Sequence, residues 1–411
     1  MKRSIVLFNL KDQTGAVAIM VALLLIVFIG FAALAIDLGH LYVVRNELQN
    51  AADAGALAGA RFLYNENGTA VNTGTNQISY DAATANNSEN VAVDVNWISG
   101  NEGDVQRGHW SFAGRTFTPN DSTMPADLWN VSTEELDADT NFINAIRVVA
   151  RRQATPAVSF FARIFGHENF QLSAEAIAYI GFAGTLGPGE VDQPIAICAD
   201  SITIDGVYSC NIGRMINSGQ NVESSETGGW TSFNQDDPCT GGTNAQEVRS
   251  LVCGDGNPDT ITFDQDVATN GGDIQSAFNN FIQCWEAETG KTIPWELTLP
   301  VVTCPGNNVG TCEEVHGAVT LNIIWITEAG EDPHYSNAPT QMGAWSNNDP
   351  DGSVRWNDFV SVFNLQNVDG SPAPYASKSI YFLPDCTAHE PRGVSGGENF
   401  GILAKIPVLV K

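Results

Sequence analysis

The stretch NNDPDGSVRWND, residues 347–358, has the residue types and spacing of a loop that wraps a hard cation. Asn347, Asp349 and Asp351 stand at loop positions 1, 3 and 5, Gly352 at 6, Ser353 at 7, Val354 at 8 and Asp358 at 12. In an EF-hand or dockerin-like loop, alternate residues point inward at the ion and the glycine permits the sharp turn. The spacing makes calcium the one cofactor suggested by the motifs, with Asn347, Asp349, Asp351, Ser353 and Asp358 as its ligands. An ordinary Asp-x-Asp-Gly turn is the alternative. A second acidic loop, Asp255 to Asp259, lacks the glycine at position 6.

Catalytic constellations are sparse. One formal Gly-x-Ser-x-Gly occurs at Gly393–Gly397, with Ser395 at its centre. A nucleophile elbow needs a strand before the serine and a helix after it. Here a glycine-rich loop precedes an alternating segment, and no histidine lies downstream, so a flexible turn is expected. The six histidines (40, 109, 167, 316, 334 and 389) are singletons, and neither His-Glu-x-x-His nor a P-loop is present. Trp230, Trp345 and Trp356 fall in expected loops, where they could serve recognition or core packing. The expectation is a protein that is not an enzyme.

Charge narrows the partners. The formal net charge is −28, and only eight of the 19 Lys and Arg residues lie beyond Arg163. So acidic a chain has no electrostatic footprint for nucleic acid. All eight cysteines fall between residues 198 and 386, after an export-type segment and with no Cys-x-x-Cys, which points to disulfides in an oxidising compartment. Pairing of sequence neighbours (198–210, 239–253, 304–312) is the simplest expectation among 105 connectivities.

The element that must carry all this lies at the N-terminus. Ala16–Ile36 is a 21-residue uncharged run, long enough at about 31 Å to cross a bilayer core. Lys2, Arg3 and Lys11 precede it, which sets residues 1–15 in the cytoplasm and the rest outside. Ala33-Leu34-Ala35 resembles a signal-peptidase site, but the run exceeds a signal h-region of about 7–15 residues, and the helical pattern continues past it. A retained single-pass anchor is expected. Beyond it, Leu41, Val44, Leu48, Ala51, Gly55, Ala58 and Phe62 step by three and four, forming one apolar helical stripe. Ala51, Gly55 and Gly59 are one turn apart and let another backbone approach closely. That contact face packs either on the protein's own sheet or on a neighbouring subunit.

The run TGAVAIMVALLLIVFIGFAALAIDLGHLYVVRNELQNAADAGALAGA, residues 14–60, resembles the N-terminal region of TadE/TadG-like proteins of the tight-adherence (Flp pilus) assembly system. Residues 145–178 are similar to the segment downstream of the anchor helix in many such proteins, so the resemblance covers about 180 residues. It implies an inner-membrane component, facing outward and connected with pilus biogenesis or surface attachment, whose partners are other tight-adherence pilus components. Pilin-like members are cut after a glycine with Glu at the fifth mature position; Gly15 would place Met20 there. Larger members carry a von Willebrand A domain with an Asp-x-Ser-x-Ser site, a motif this chain lacks.

Residues 37–180 read as a pilin-like α+β domain. A long helix is followed by alternating strands near 91–97, 105–117, 142–152 and 170–180, the third carrying Arg147, Arg151 and Arg152 as edge charges or partner contacts. Gly181–Pro194, with four Gly and two Pro, reads as a linker. Residues 195–411 read as a β-rich, disulfide-stapled ectodomain with strands at 195–204, 295–304, 318–327, 379–383 and 400–410 and a helix at 273–286. The expected fold is α+β: a transmembrane helix continuing into a pilin-like helix on an antiparallel sheet, then this ectodomain. The expected function is a membrane-anchored pilus-assembly component working through protein–protein contacts, located in the inner membrane with its C-terminal part periplasmic or extracellular. The alternative is a surface or periplasmic binding or adhesion module, stabilised by calcium.

Overall fold

The computed structural model describes residues 14–210, 213–217, 228–271, 275–305, 309–327, 339–343, 345–367 and 369–411. The basic residues Lys2, Arg3 and Lys11, together with Ile274 and His334, lie outside the described residues.

The apolar run and the small-residue segment after it are one helix, α1 (Thr14–Arg61), 48 residues and about 72 Å long. Along its first half the side chains face outward; Leu23, Phe28 and Phe31 are all exposed. Burial begins with Asp37 and then runs through Val44, Leu48, Ala51, Ala52, Ala56 and Ala60, each fully covered. The buried face departs from the expected stripe at its end: Phe62 is half exposed and Leu63 is covered instead. A 3-4 stepping averages 3.5 residues per turn, whereas a straight helix has 3.6, so such a stripe drifts around the axis.

What the small residues admit is a second helix and a sheet from the same chain. Helix α2 (Thr75–Thr84) crosses α1 so closely that a Cβ on Gly55 would lie 2.8 Å from Ala83 Cβ and 2.9 Å from the Ser79 carbonyl oxygen. A Cβ on Gly59 would meet Ser79 Oγ, and Thr75 Oγ1 donates to the Gly59 carbonyl at 2.6 Å. Beneath lie strands β1 (Val105–Ser111), β2 (Thr116–Pro119), β3 (Ala145–Val158) and β4 (Asn169–Tyr179), antiparallel in the spatial order β4-β3-β1-β2. Val148 and Ile146 of β3 reach the same two glycines. Apolar alternation on β3 puts Ile146, Val148 and Ala150 against α1. The arginines of β3 are not edge charges, because β3 lies inside the sheet. Arg151 pairs bidentately with Asp104, Arg147 with Glu175, and Arg152 with Glu89.

Residues 181–194 are not a free linker. Phe182–Leu186 forms a strand, β5, bonded to Ile261–Thr262 on one side and Val394–Gly397 on the other. Gly184 serves close approach: a Cβ there would lie 2.7 Å from the Gly396 carbonyl carbon. The second body is built on β6 (Ile195–Cys198), β7 (Arg214–Asn217), β8 (Gly228–Thr231), β9 (Asp266–Asn270), β10 (Trp295–Val302), β11 (Cys312–Ile326) and β12 (Ser379–Pro384). Their spatial order is β7-β12-β11-β9-β8-β6-β10, and β10 also pairs with β11, which closes five of the strands into a ring. Helices α3 (Gln275–Thr289) and α4 (Gly352–Phe363) contribute buried Phe281, Trp285 and Phe359 to its main core.

Four disulfides staple this body: Cys198–Cys304, Cys210–Cys386, Cys239–Cys312 and Cys253–Cys284. None joins the sequence neighbours of the simplest expectation. Strand pairing decides the matter, since Val302 of β10 lies opposite Cys198 of β6 and brings Cys304 to it across 106 residues. The expected terminal strand over 400–410 is also replaced. Phe400 enters the main core of the second body, Leu403 and Ala404 enter the α1 core, and Val408–Leu409 pairs with β4 at Tyr179 and Ala178. The two bodies are thus tied twice, at β5 and through the last strand.

A glycine test separates required from permitted small residues. Gly55→Ala drives a methyl into backbone and should destabilise the head by about 1–3 kcal/mol. Gly39, whose Cβ position is open, should tolerate alanine with no loss and a gain of up to about 1 kcal/mol. Denaturant unfolding of the detergent-solubilised protein reads both.

Candidate functional site

Residues 347–358 form a helix cap in which the oxygen side chains of the expected calcium loop bond to neighbouring residues. Asn347 Oδ1 accepts from Asp349 N, Asp349 Oδ1 from Asp351 N, and Asp351 Oδ1 from Ser353 N and Ser353 Oγ, at 2.7–2.9 Å. Each side chain closes a local turn on the next, and the last caps α4. The Ser353 bonds hold the Asp351 carboxyl below its usual range. Because α4 already begins at Gly352, Asp358 sits in its second turn. Its Oδ2 accepts from Trp345 Nε1 at 2.7 Å and from Asn347 Nδ2 at 2.9 Å. Asn347 and Asp358 are brought together. Asp349 and Asp351 join no three-residue ligand cluster among the described residues.

The other sequence candidates are structural as well. Ser395 lies in the strand Val394–Gly397, not in a flexible turn; its Oγ donates to the Ile406 carbonyl and accepts from Gly181 N, both at 3.2 Å. Asn257, in the second acidic loop, accepts from Val191 N and donates to the Gly187 carbonyl, fastening the chain after β5. Trp230, Trp345 and Trp356 are all core residues. His109 sits between the carbonyls of Phe142 and Asp137, and His40 pairs with Glu89.

Two clusters have the composition of a metal site. Cys239, Asp266 and Cys312 form one, but both cysteines are spent in a disulfide and offer no thiolate. In the other, His389 stands between Glu296 at 3.3 Å and Asp385 at 3.1 Å. Asp385 also accepts from Asn322 Nδ2 and from the Thr387 hydroxyl and N–H. Burial alone would raise the Asp385 carboxyl, but bonds from His389 and Thr387 hold it down, at about 2. Burial pulls His389 down, and the carboxylates of Asp385 and Glu296 outweigh it, leaving the imidazole above its ordinary range. This is an ion-pair knot on the β10–β12 side of the second body.

The face formed by Ala51, Gly55 and Gly59 is buried in the protein's own fold, under α2 and β3, so it offers nothing to a neighbouring subunit. Asp37, which in the sequence only marks the end of the apolar run, does more. Almost fully buried, it accepts from the N–H groups of Phe160, Phe161 and Ala162 at 2.6–3.2 Å. The signal that could have found it is a lone carboxylate directly after an uncharged segment, where an unpaired charge is costly.

Asp351→Ala should lower Tm by about 2–4 °C through loss of the cap, and neither calcium nor EDTA should shift the wild-type Tm. For the knot, a raised His389 contributes stability that is full below pH 6.5 and is lost as pH rises through its folded value. The lowered Asp385 contributes stability that is full above about pH 4 and is lost as pH falls toward 2. Stability against pH should therefore plateau between about 4 and 6.5, and His389→Gln should flatten the alkaline-side decline in a Tm series.

Comparison with known proteins agrees with the architecture of the N-terminal body. The model described as Flp pilus-assembly TadE/G-like matches residues 15–61, the span of α1. The model described as Tad-like Flp pilus-assembly matches residues 58–178, from the end of α1 through β4. No curated relative and no solved structure matches the chain. Residues 15–178, the long helix and its sheet together, thus match the TadE/TadG-like Flp pilus-assembly family.

Proposed function

We propose that this protein is a bilayer-anchored component of a tight-adherence pilus-assembly system that works through protein–protein contacts of its outward-facing part. The observation that carries the reading is the unbroken family match over residues 15–178, which spans the anchor and the body packed upon it. The apolar first half of α1 supports insertion in the inner membrane, and the basic residues before it support a cytoplasmic N-terminus. With the small-residue face occupied internally, partners dock on exposed positions. On α1 the exposed row above the apolar run is Leu38, Tyr42 and Arg45. The chain acts as a non-enzymatic scaffold in this reading, and its candidate serine is committed to a strand contact.

A photocrosslinker at Tyr42, in cells that assemble the pilus, should trap other components of that system. Gly55 replaced by the same group should trap none. Absence of any pilus-system adduct from Tyr42, Val354 and Phe112 alike would remove the assembly reading.

A further inference from the structure

The hairpin that joins β3 to β4 runs down α1 toward the membrane. Ile146 lies beside Gly59 and Val148 beside Gly55, while Phe160, Phe161 and Ala162 sit on Asp37. From Gly59 to Asp37 the helix descends 22 residues, about 33 Å. The reversal at 159–168 is therefore pinned at the level where the uncharged run ends. That reversal is built from apolar side chains that face outward. Ile164 is 75% and Phe165 82% exposed, and Val158 and Phe160 are more than half exposed. On the helix beside them Leu34, Leu38 and Tyr42 are exposed too. So large an apolar patch on a chain with a net charge of −28 marks a contact surface.

The backbone of this tip is prepared for a medium poor in water. Phe160, Phe161 and Ala162 donate to Asp37, Ile164 N to the Phe161 carbonyl, Gly166 N to that of Arg163, and His167 N to that of Ala162. Ser159 closes the neck, its N–H on Glu168 and its hydroxyl on the His167 carbonyl. Internal satisfaction of backbone groups is the condition for entering the hydrocarbon boundary. Exposed Arg163 sits among the apolar side chains, where its stem can lie along the acyl boundary and its guanidinium can reach lipid phosphate. Tyr42 has the character of an interfacial anchor at the same level.

We propose that the 158–165 tip is seated in the outward-facing interface of the bilayer that α1 spans, giving the head a second point of attachment. The inference rests on the anchor reading of residues 16–36. One helix alone leaves the head free to tilt and swivel; a helix and a tip about the axis fix both. Asp37 is the positioning residue, since its carboxylate sets the height of the tip against the helix.

The described chain has no free cysteine, so an introduced thiol can carry a nitroxide label. Full-length Leu34→Cys, Ile164→Cys and Val354→Cys variants would be placed in phosphatidylethanolamine–phosphatidylglycerol nanodiscs. Relative accessibility to oxygen and to an aqueous nickel chelate then gives depth. The expected result is a lipid signature at Leu34, an aqueous one at Val354, and at Ile164 an oxygen-to-nickel ratio several-fold above that at Val354. A Leu34 label in lipid with an Ile164 label as aqueous as Val354 would overturn the tip inference and leave the anchor standing. Leu34 and Ile164 both aqueous would overturn the anchor and the inference together. An Ile164 label shielded from both reagents, with dipolar broadening between copies, would assign the patch to a second copy of the chain and also overturn it.

Discussion

Two helices and a strand meet at Gly55 and Gly59 with no room for a methyl group between them, and the N-terminal body is organised by that contact. Because α1 lacks side chains there, α2 can lie across it within hydrogen-bond reach of its backbone, and β3 can pass beneath. Glycine weakens a helix by about 1 kcal/mol relative to alanine, so two of them within one turn are a local cost that only tertiary packing offsets. The contact also sets direction. With Ile146 and Val148 fixed at the glycines, the β3–β4 hairpin can only run back along α1, and its reversal arrives at Asp37. A packing constraint at the far end of the rod thus determines which residues stand beside Asp37, where the apolar run ends.

The second body depends on the first through two strands that cross between them. Strand β5 occupies the stretch whose composition resembles a linker, and Val408–Leu409 completes the edge of the sheet beside β4. Lys411 adds an ion pair to Glu175, which already holds Arg147. Guanidinium and ammonium together outweigh the burial of Glu175 and hold its carboxyl below the usual range. The second body is therefore stitched to the first near both of its ends.

How much of this is legible in the sequence depends on the range of the forces concerned. The 21-residue uncharged run, the four-residue spacing of Ala51, Gly55 and Gly59, and the cysteine count are local or compositional, and they point correctly to a long apolar helix, a close-contact helix face and a disulfide body. Which surface meets the glycines is not readable, because helical spacing reports that something approaches and not what. The disulfide partners depend on strand order, which eight cysteine positions do not contain. The 347–358 stretch is ambiguous for another reason: Asx turns and ion cages share the same alternation of oxygen side chains. The start of the helix at Gly352 is not contained in that alternation. Likewise Gly181–Pro194 has a linker's composition, yet Gly184 answers to a strand that passes too closely for a side chain.

In the proposed reading these features form a tether that holds the head beside a bilayer, in the setting of pilus assembly. All of it requires that the apolar half of α1 stays with the head. Intact mass of the protein recovered from alkali-washed membranes tests that requirement most directly. The account predicts a membrane-retained chain that includes residues 16–36. A soluble mature chain beginning at Ile36 would contradict it.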